Sequence, residues 1–263
     1  MRTVSSRALR HQRRHRKNRM QIGSRNEASQ LNIVFFTGAG LSAESGVPTF
    51  RGGDGLWQQS DNIQYSQVSC LETDLDKYLA FHNQRRRAML RACPSQAHYL
   101  MAELQQRYNV RFITQNIDDL HERAGGHSVT HLHGSVQFMV PKGFRHQKYR
   151  LPWYKDINVG DRCPRTGSQL RPDIVLFGET IYDYLQARRW LCEADIVVIV
   201  GTSLLVEPAN SLLGNINPMA KVYYINPESW LSSLLPFPGE QVIERANDGM
   251  ARLLNEISTG RLD

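Results

Sequence analysis

The chain has 263 residues, 41% of them apolar, which is enough for one large domain with a buried core. No apolar run approaches the ~20 residues that cross a bilayer, which argues against a membrane-spanning segment; the longest, Ile196 to Val200, has the pattern of a buried strand. The net charge of +7 suggests nucleic acid, but Arg2, Arg7, Arg10, Arg13, Arg14, Arg16, Lys17 and Arg19 supply eight positive charges before Met20, with no acid among them, so the remainder carries only −1.

Residues 1–28 therefore read as a basic, disordered arm. Such an arm could touch nucleic acid or anionic lipid through phosphates, and its Arg-rich, acid-poor start imitates an organelle transit peptide. A dispensable solvated tail, with Met20 as an alternative start, is the plainer reading, and nucleic-acid contact is not favoured. Cys70, Cys93, Cys163 and Cys192 include no Cys-x-x-Cys pair, so the expected setting is reducing and cytoplasmic.

The first predicted strand is Ile33 to Thr37, followed by Gly38-Ala39-Gly40. Glycines in such a turn let backbone N–H groups approach a pyrophosphate, although ordinary strand–helix junctions use them too. The small residues from Leu41 to Gly55, with Phe50 and Arg51 among them, suggest a loop that folds over a ligand. Asp76 to Arg91 has helical spacing of Leu79, Phe81 and Met89, and Ser95 looks like the N-cap of a helix running to Tyr108. Further short, β-branched or aromatic strands are expected at Arg111 to Thr114, Asp195 to Gly201, Lys221 to Asn226 and Gln241 to Ile243. Helices are expected at Leu185 to Ala194, Ala209 to Leu213 and Asp248 to Ile257.

This alternation predicts an α/β fold: a doubly wound, parallel Rossmann-like sheet over 29–135 and 173–263, with ligands at the carboxyl ends of its strands. Residues 136–172, rich in Pro, Gly, aromatics and bases, break the rhythm and read as a small inserted module. Gln115, Asn116 and Asp118 follow a predicted strand, where turn-forming residues are also common. A histidine such as His133 can take up a proton at neutral pH, but a His before Gly is often a turn or core residue, and its neighbour His131 shows the same ambiguity.

Taken together, Gly38-Ala39-Gly40-x-Ser42-x-x-Ser45-Gly46 leading to Phe50-Arg51 resembles the cofactor loop of the sirtuins. Thr114-Gln115-Asn116-Ile117-Asp118, His131-Leu132-His133-Gly134, Arg171 to Glu179, Gly201-Thr202-Ser203 and Ile225-Asn226-Pro227 match in order and spacing, over roughly residues 30–258. The resemblance implies an NAD-dependent protein-lysine deacylase, a transferase that moves the acyl group from lysine to ADP-ribose. Gly38, Ala39, Gly40, Ser42, Phe50 and Arg51 would hold NAD. Gln115, Asn116 and Asp118 would hold its nicotinamide and ribose; Gly201, Thr202, Ser203, Asn226 and Ala246 would hold its adenosine half. His133 would take a proton from a ribose hydroxyl, Asn116 would orient the water or ribose hydroxyls, and the products would be nicotinamide and O-acyl-ADP-ribose. Val175, Phe177, Gly178 and Glu179 would pair with the backbone of an acylated protein.

Two places depart from the sirtuin pattern. Sirtuins usually bind zinc through two Cys-x-x-Cys pairs, whereas here Cys163 stands alone with Thr166 in its partner's place, and the first pair falls near Pro141 and Phe144. With His146 these give too few ligands, so the expectation is no metal, and a module held by Phe138, Phe144, Tyr149, Trp153 and Tyr154. The sirtuins that remove dicarboxylic acyl groups carry Tyr-x-x-Arg, and this chain has His82 and Arg85 instead, three apart on one helix face. Arg85 could pair with a succinyl carboxylate, or Arg85-Arg86-Arg87 could be a solvated basic face. The expectation is mixed activity, deacetylation with scope for desuccinylation. Two alternatives remain open: an NAD glycohydrolase or ADP-ribosyltransferase, and a non-catalytic NAD-binding module.

Overall fold

The computed structural model describes residues 31–49, 63–228 and 238–258. The expectations placed on the basic arm and on Phe50 and Arg51 lie outside them. Six parallel strands form the main sheet: β1 (Asn32–Thr37), β2 (Asn109–Thr114), β3 (Val129–His131), β7 (Ile196–Val200), β8 (Lys221–Ile225) and β9 (Glu240–Val242). Their order across the sheet is β3-β2-β1-β7-β8-β9. Numbered among themselves in chain order, they run 3-2-1-4-5-6, the order of a dinucleotide-binding sheet, in which the direction of winding reverses between the first and fourth strands.

β7 is apolar at every position and β1 from Ile33 to Phe36, because both faces of these central strands are covered. Ile33 and Phe35 of β1 join Phe112, Val198 and Val200 beneath α4 (Gln96–Glu103) and α7 (Ala246–Ser258), where Ala97, Met101, Met250 and Leu253 pack. The alternate residues Val34 and Phe36 join Ile113, Val197 and Ile199 beneath α6 (Tyr184–Cys192), with Ala187 and Leu191, and beneath Leu212 and Leu213. Two-residue alternation thus feeds two separate cores from one strand. Ser95 caps α4 as expected: its N–H and hydroxyl both lie within hydrogen-bond reach of His98 Nδ1, at 3.2 and 2.8 Å. The helix is shorter than expected, passing into a 3-10 turn at Leu104–Gln106, and Asn210–Asn215 is a 3-10 turn rather than an α-helix.

A second sheet of three strands, in the order β5-β4-β6, joins β4 (Gly134–Pro141), β5 (Leu151–Pro152) and β6 (Leu170–Ile174) in antiparallel pairs. It packs with α3 (Leu75–Arg91), which follows the short α2 (Cys70–Thr73). Trp153, Ile157, Cys163 and Leu170 fill this core, together with Tyr78, Leu79 and Met89. The aromatic set expected to hold the module is therefore corrected. Trp153 is buried, but Phe144 is 40% and Tyr154 73% exposed.

The three consecutive arginines of α3 do not form one solvated face. Arg86 is buried over the Trp153 ring and donates to the carbonyls of Val136 and Trp153. Arg87 is exposed and pairs with Asp156, and Arg85 turns toward the cleft described next.

Candidate functional site

A cleft of about 1000 Å³ opens at the carboxyl ends of the parallel strands, across the β1–β7 junction. One wall is formed by Gly38, Ala39 and Gly40 at the entry to α1 (Ala39–Ala43) and by Gly201, Thr202 and Ser203 after β7. Here the glycines have a different task from the one expected. The Gly38 and Gly40 amides donate to the carbonyls of Val200, at 3.0 Å, and Gly201, at 2.7 Å, so they are not free to meet a phosphate. A Cβ on Gly38 would come within 2.8 Å of the Gly201 carbonyl oxygen, and one on Gly40 within 2.8 Å of Gly201 Cα. Both glycines exist because two strand ends touch backbone to backbone.

The strand tips are laced together through Thr202. Gln115 Nε2 donates to its hydroxyl at 2.9 Å, while the Tyr224 hydroxyl and Asn226 Nδ2 donate to its carbonyl at 3.1 and 3.2 Å. Asn226 and Ala246 complete this side of the lining. Arg245, just before Ala246, and Glu228 also line it, although no motif marked them. Arg245 places a cation at the cleft, and the only sequence signal for it was adjacency to Ala246.

Asn116 is buried at the floor. Its two amide hydrogens go to the Gly38 carbonyl, at 2.9 Å, and to Ser42 Oγ, at 3.0 Å, which leaves Oδ1 to act in the cleft. Ser42 in turn donates to Asp118 Oδ2 at 2.9 Å. Burial raises the Asp118 carboxyl above its usual range, against the pull of the Ser42 hydrogen bond. Ser42 and Asp118 are thus gathered with the rest, but one layer behind the lining rather than on it.

His133 faces the same space. Its Nδ1 lies 2.9 Å from the Gln115 carbonyl, an acceptor, so Nδ1 carries the proton and Nε2 the lone pair. Burial lowers the imidazole below the usual histidine range, against the opposing pull of that hydrogen bond. The group is therefore a neutral base at neutral pH.

The opposite end of the cleft is lined by His82 and Arg85 of α3 and by Val175, Phe177, Gly178 and Glu179. His82 is buried; burial and the nearby Arg85 charge take it down to about 3, and its Nδ1 meets no hydrogen-bond partner. Arg85 is taken down to about 10 by burial, with the Asp118 charge opposing, and it remains a cation. The segment expected to pair with a peptide already uses much of its edge. The amides of Val175, Leu176 and Phe177 donate to the His133 carbonyl, the Glu179 carboxylate and the Ser66 carbonyl. Glu179 is engaged with Arg171 and Arg145, so its carboxylate serves the wall rather than a substrate.

The residues of the small module do not fit a tetrahedral zinc ion. Burial would raise the Cys163 thiol, but the Thr166 hydroxyl and the Arg165 and Thr166 amides outweigh it and hold the thiol below its usual range. Thr166 thus stands near the sulfur at the position where a second thiolate would be, and its hydroxyl accepts from the Ser168 amide. Among the described residues no three His, Cys, Asp or Glu side chains are grouped to share a metal.

Residues 38–208 match the Sir2 family. An NAD-dependent protein deacylase of Helicobacter pylori is 43% identical over 198 residues, covering 75% of this chain and 85% of that protein. An NAD-dependent protein deacylase of Archaeoglobus fulgidus is 35% identical over 234 residues, covering 88% and 94%. The crystal structure of a Sir2 homolog–NAD complex is similar with a TM-score of 0.76 at 33% identity, covering 87% of this chain and 90% of that one. A Sir2–p53 peptide–NAD+ complex is similar with a TM-score of 0.71 at 26% identity, covering 88% and 95%.

Proposed function

The chain belongs to the Sir2 family, and from that membership and the geometry of the cleft we infer how it works: it is an NAD-dependent protein deacylase. NAD, when bound, supplies a ribose carbon from which nicotinamide can be displaced by the acyl oxygen of a modified lysine. The rest falls to the chain. The wall at Gly38–Gly40 and Gly201–Ser203, with Asn226 and Ala246, holds the dinucleotide, and Arg245 offers a charge for its phosphates. Asn116 Oδ1 accepts a hydrogen bond from a hydroxyl or water in the cleft. His133 Nε2 accepts a proton there. Ser42 and Asp118 act through Asn116 by fixing the loop. The acylated lysine enters from the side of Val175, Phe177 and Gly178.

The observation that carries this reading is His133, held by the Gln115 carbonyl so that its basic nitrogen faces a cleft at the winding reversal of a dinucleotide-type sheet. At the acyl end, a neutral His82 beside a cationic Arg85 supports acceptance of both uncharged and carboxylate-bearing acyl groups.

Mass-spectrometric product analysis of NAD with and without acetyl- or succinyl-lysine peptide tests the reading. Peptide-dependent release of nicotinamide, with O-acyl-ADP-ribose as partner product, is expected. His133→Ala should cut turnover by about 10²–10⁴ while NAD still binds. Arg85→Met should lower kcat/KM for the succinyl peptide more than for the acetyl peptide, and equal loss on both would remove the acyl-reading role. NAD breakdown that ignores peptide would point instead to a glycohydrolase.

A further inference from the structure

The chemistry above uses only one of the two histidines that flank Leu132. His131 ends β3 with a side chain 12% exposed, and it is not on the cleft wall. Its Nδ1 lies 2.9 Å from the Asn116 carbonyl oxygen, and its Nε2 lies 2.8 Å from Glu122 Oε1. Both partners are acceptors. A neutral imidazole has one N–H and can satisfy only one of them, so the two contacts together call for a proton on each nitrogen. His133, two residues on, donates from its own Nδ1 to the Gln115 carbonyl. The two rings therefore grip successive carbonyls of one stretch of backbone. The Asn116 side chain springs from that stretch, and His133 is aimed by it.

We propose that the Glu122–His131 pair is a positioning device for the deacylation: His131 bridges the Glu122 carboxylate and the Asn116 carbonyl, and so fixes the backbone that orients Asn116 and His133. The inference rests on the deacylase reading given above. Around His131, Glu122 and His121 come from α5 (Leu120–Arg123) and Asp118 from the loop before it. Burial works against the charged ring, but the hydrogen bond and charge of Glu122, with smaller help from the Asn116 carbonyl and Asp118, hold it above the usual histidine range. His121 is kept neutral by burial. Asp119 is turned to Arg123 and Gln137. The two histidines of the motif are thus shifted in opposite directions from the usual range. Activity should rise with pH as His133 loses its proton, at a value below the usual 6.5. It should fall again as His131 loses its own, at a value above 6.5.

The test measures kcat and KM for NAD and an acetyl-lysine peptide across the pH range on the full chain, with Glu122→Gln, His131→Asn and a thermal melt of each. Glu122→Gln removes the charge that holds His131 protonated, and its alkaline fall should begin about one pH unit lower. His131→Asn keeps a donor for the Asn116 carbonyl but cannot titrate. It should abolish the alkaline fall and lower kcat roughly 10- to 100-fold, with KM for NAD little changed. A Glu122→Gln protein that melts like the wild type and has a superimposable pH profile overturns the inference. So does a His131→Asn protein whose loss of kcat only follows its unfolded fraction. If the wild type releases no nicotinamide with any acyl peptide, the deacylase reading falls and takes this inference with it. A wild type that turns over beside an unmoved Glu122→Gln profile defeats this inference alone.

Discussion

Gly134 decides where His133 can stand. It sits at φ +81°, and an added Cβ would fall 1.9 Å from the Asp173 carbonyl oxygen, where β4 meets β6. That contact is with backbone, so no side-chain movement relieves it. Gly134→Ala is expected to cost about 2–4 kcal/mol in a urea titration, through steric overlap and the left-handed backbone combined. Its remaining folded fraction should turn over slowly, because His133 would be displaced with its neighbour. A Gly134→Ala protein with the wild-type urea midpoint would show that β4 and β6 separate at little cost. At this scale much of the site was legible: His133, Asn116 and Gln115 belong to short motifs whose order and spacing survive in the sequence. What was not legible was the task of Gly38 and Gly40. A glycine that admits a ligand and a glycine that admits a second strand look alike in one dimension, and only the approach of Gly201 tells them apart.

Among the elements, the parallel strands β1, β7 and β8 were legible because burial on both faces leaves a continuous apolar run. β6 was not, although it is buried throughout. It contains Arg171, Pro172 and Asp173, two charges and a proline that interrupt any apolar run. Arg171 meets Glu179 and the Ile174 carbonyl; Asp173 meets Arg150 and the Tyr182 hydroxyl. Buried charges stand only with such partners, and those partners, 3 to 23 residues away in the chain, follow no strand period that would mark them. β3 escaped notice for a simpler reason, since three residues are too few to show a period. Helix ends carry a separate lesson. The Asn247 side chain accepts from the Ala97 amide at 2.8 Å, in the first turn of α4, while the Asn247 amide donates to Glu44 at 2.8 Å. Asn247→Ala is expected to lower stability by about 1 kcal/mol, as loss of a helix cap does, and to leave the pH profile of turnover in place. Calorimetry together with the activity assay checks both halves.

For the molecule as a whole, buried neutral histidines set the response to acid. Burial takes His98 down to about 4, with Arg123 adding to the effect, takes His82 down to about 3, and takes His121 well below 6.5. Unfolded, each would bind a proton near 6.5. Between those values the unfolded chain holds more protons, so acid favours unfolding. The stabilisation is complete above pH 6.5 and is lost as pH falls toward 4, at up to about 1.4 kcal/mol per pH unit for each histidine. His131 runs the other way and loses its contribution as pH rises. Urea midpoints measured from neutral pH downward should fall, and His98→Asn, which keeps an acceptor for the Ser95 amide, should make the decline shallower. An unchanged slope in that variant would assign acid sensitivity to other groups.

The lacing of three strand tips through Thr202 has a mechanical consequence. Tips tied side by side to one residue resist spreading, much as the teeth of a comb are held by its spine. The cleft then has one stiff jaw at its dinucleotide end, and its second jaw is formed by α3 and the segment around Phe177. Selection for a different acylated partner can therefore reshape that second jaw while the grip on the dinucleotide stays as it is.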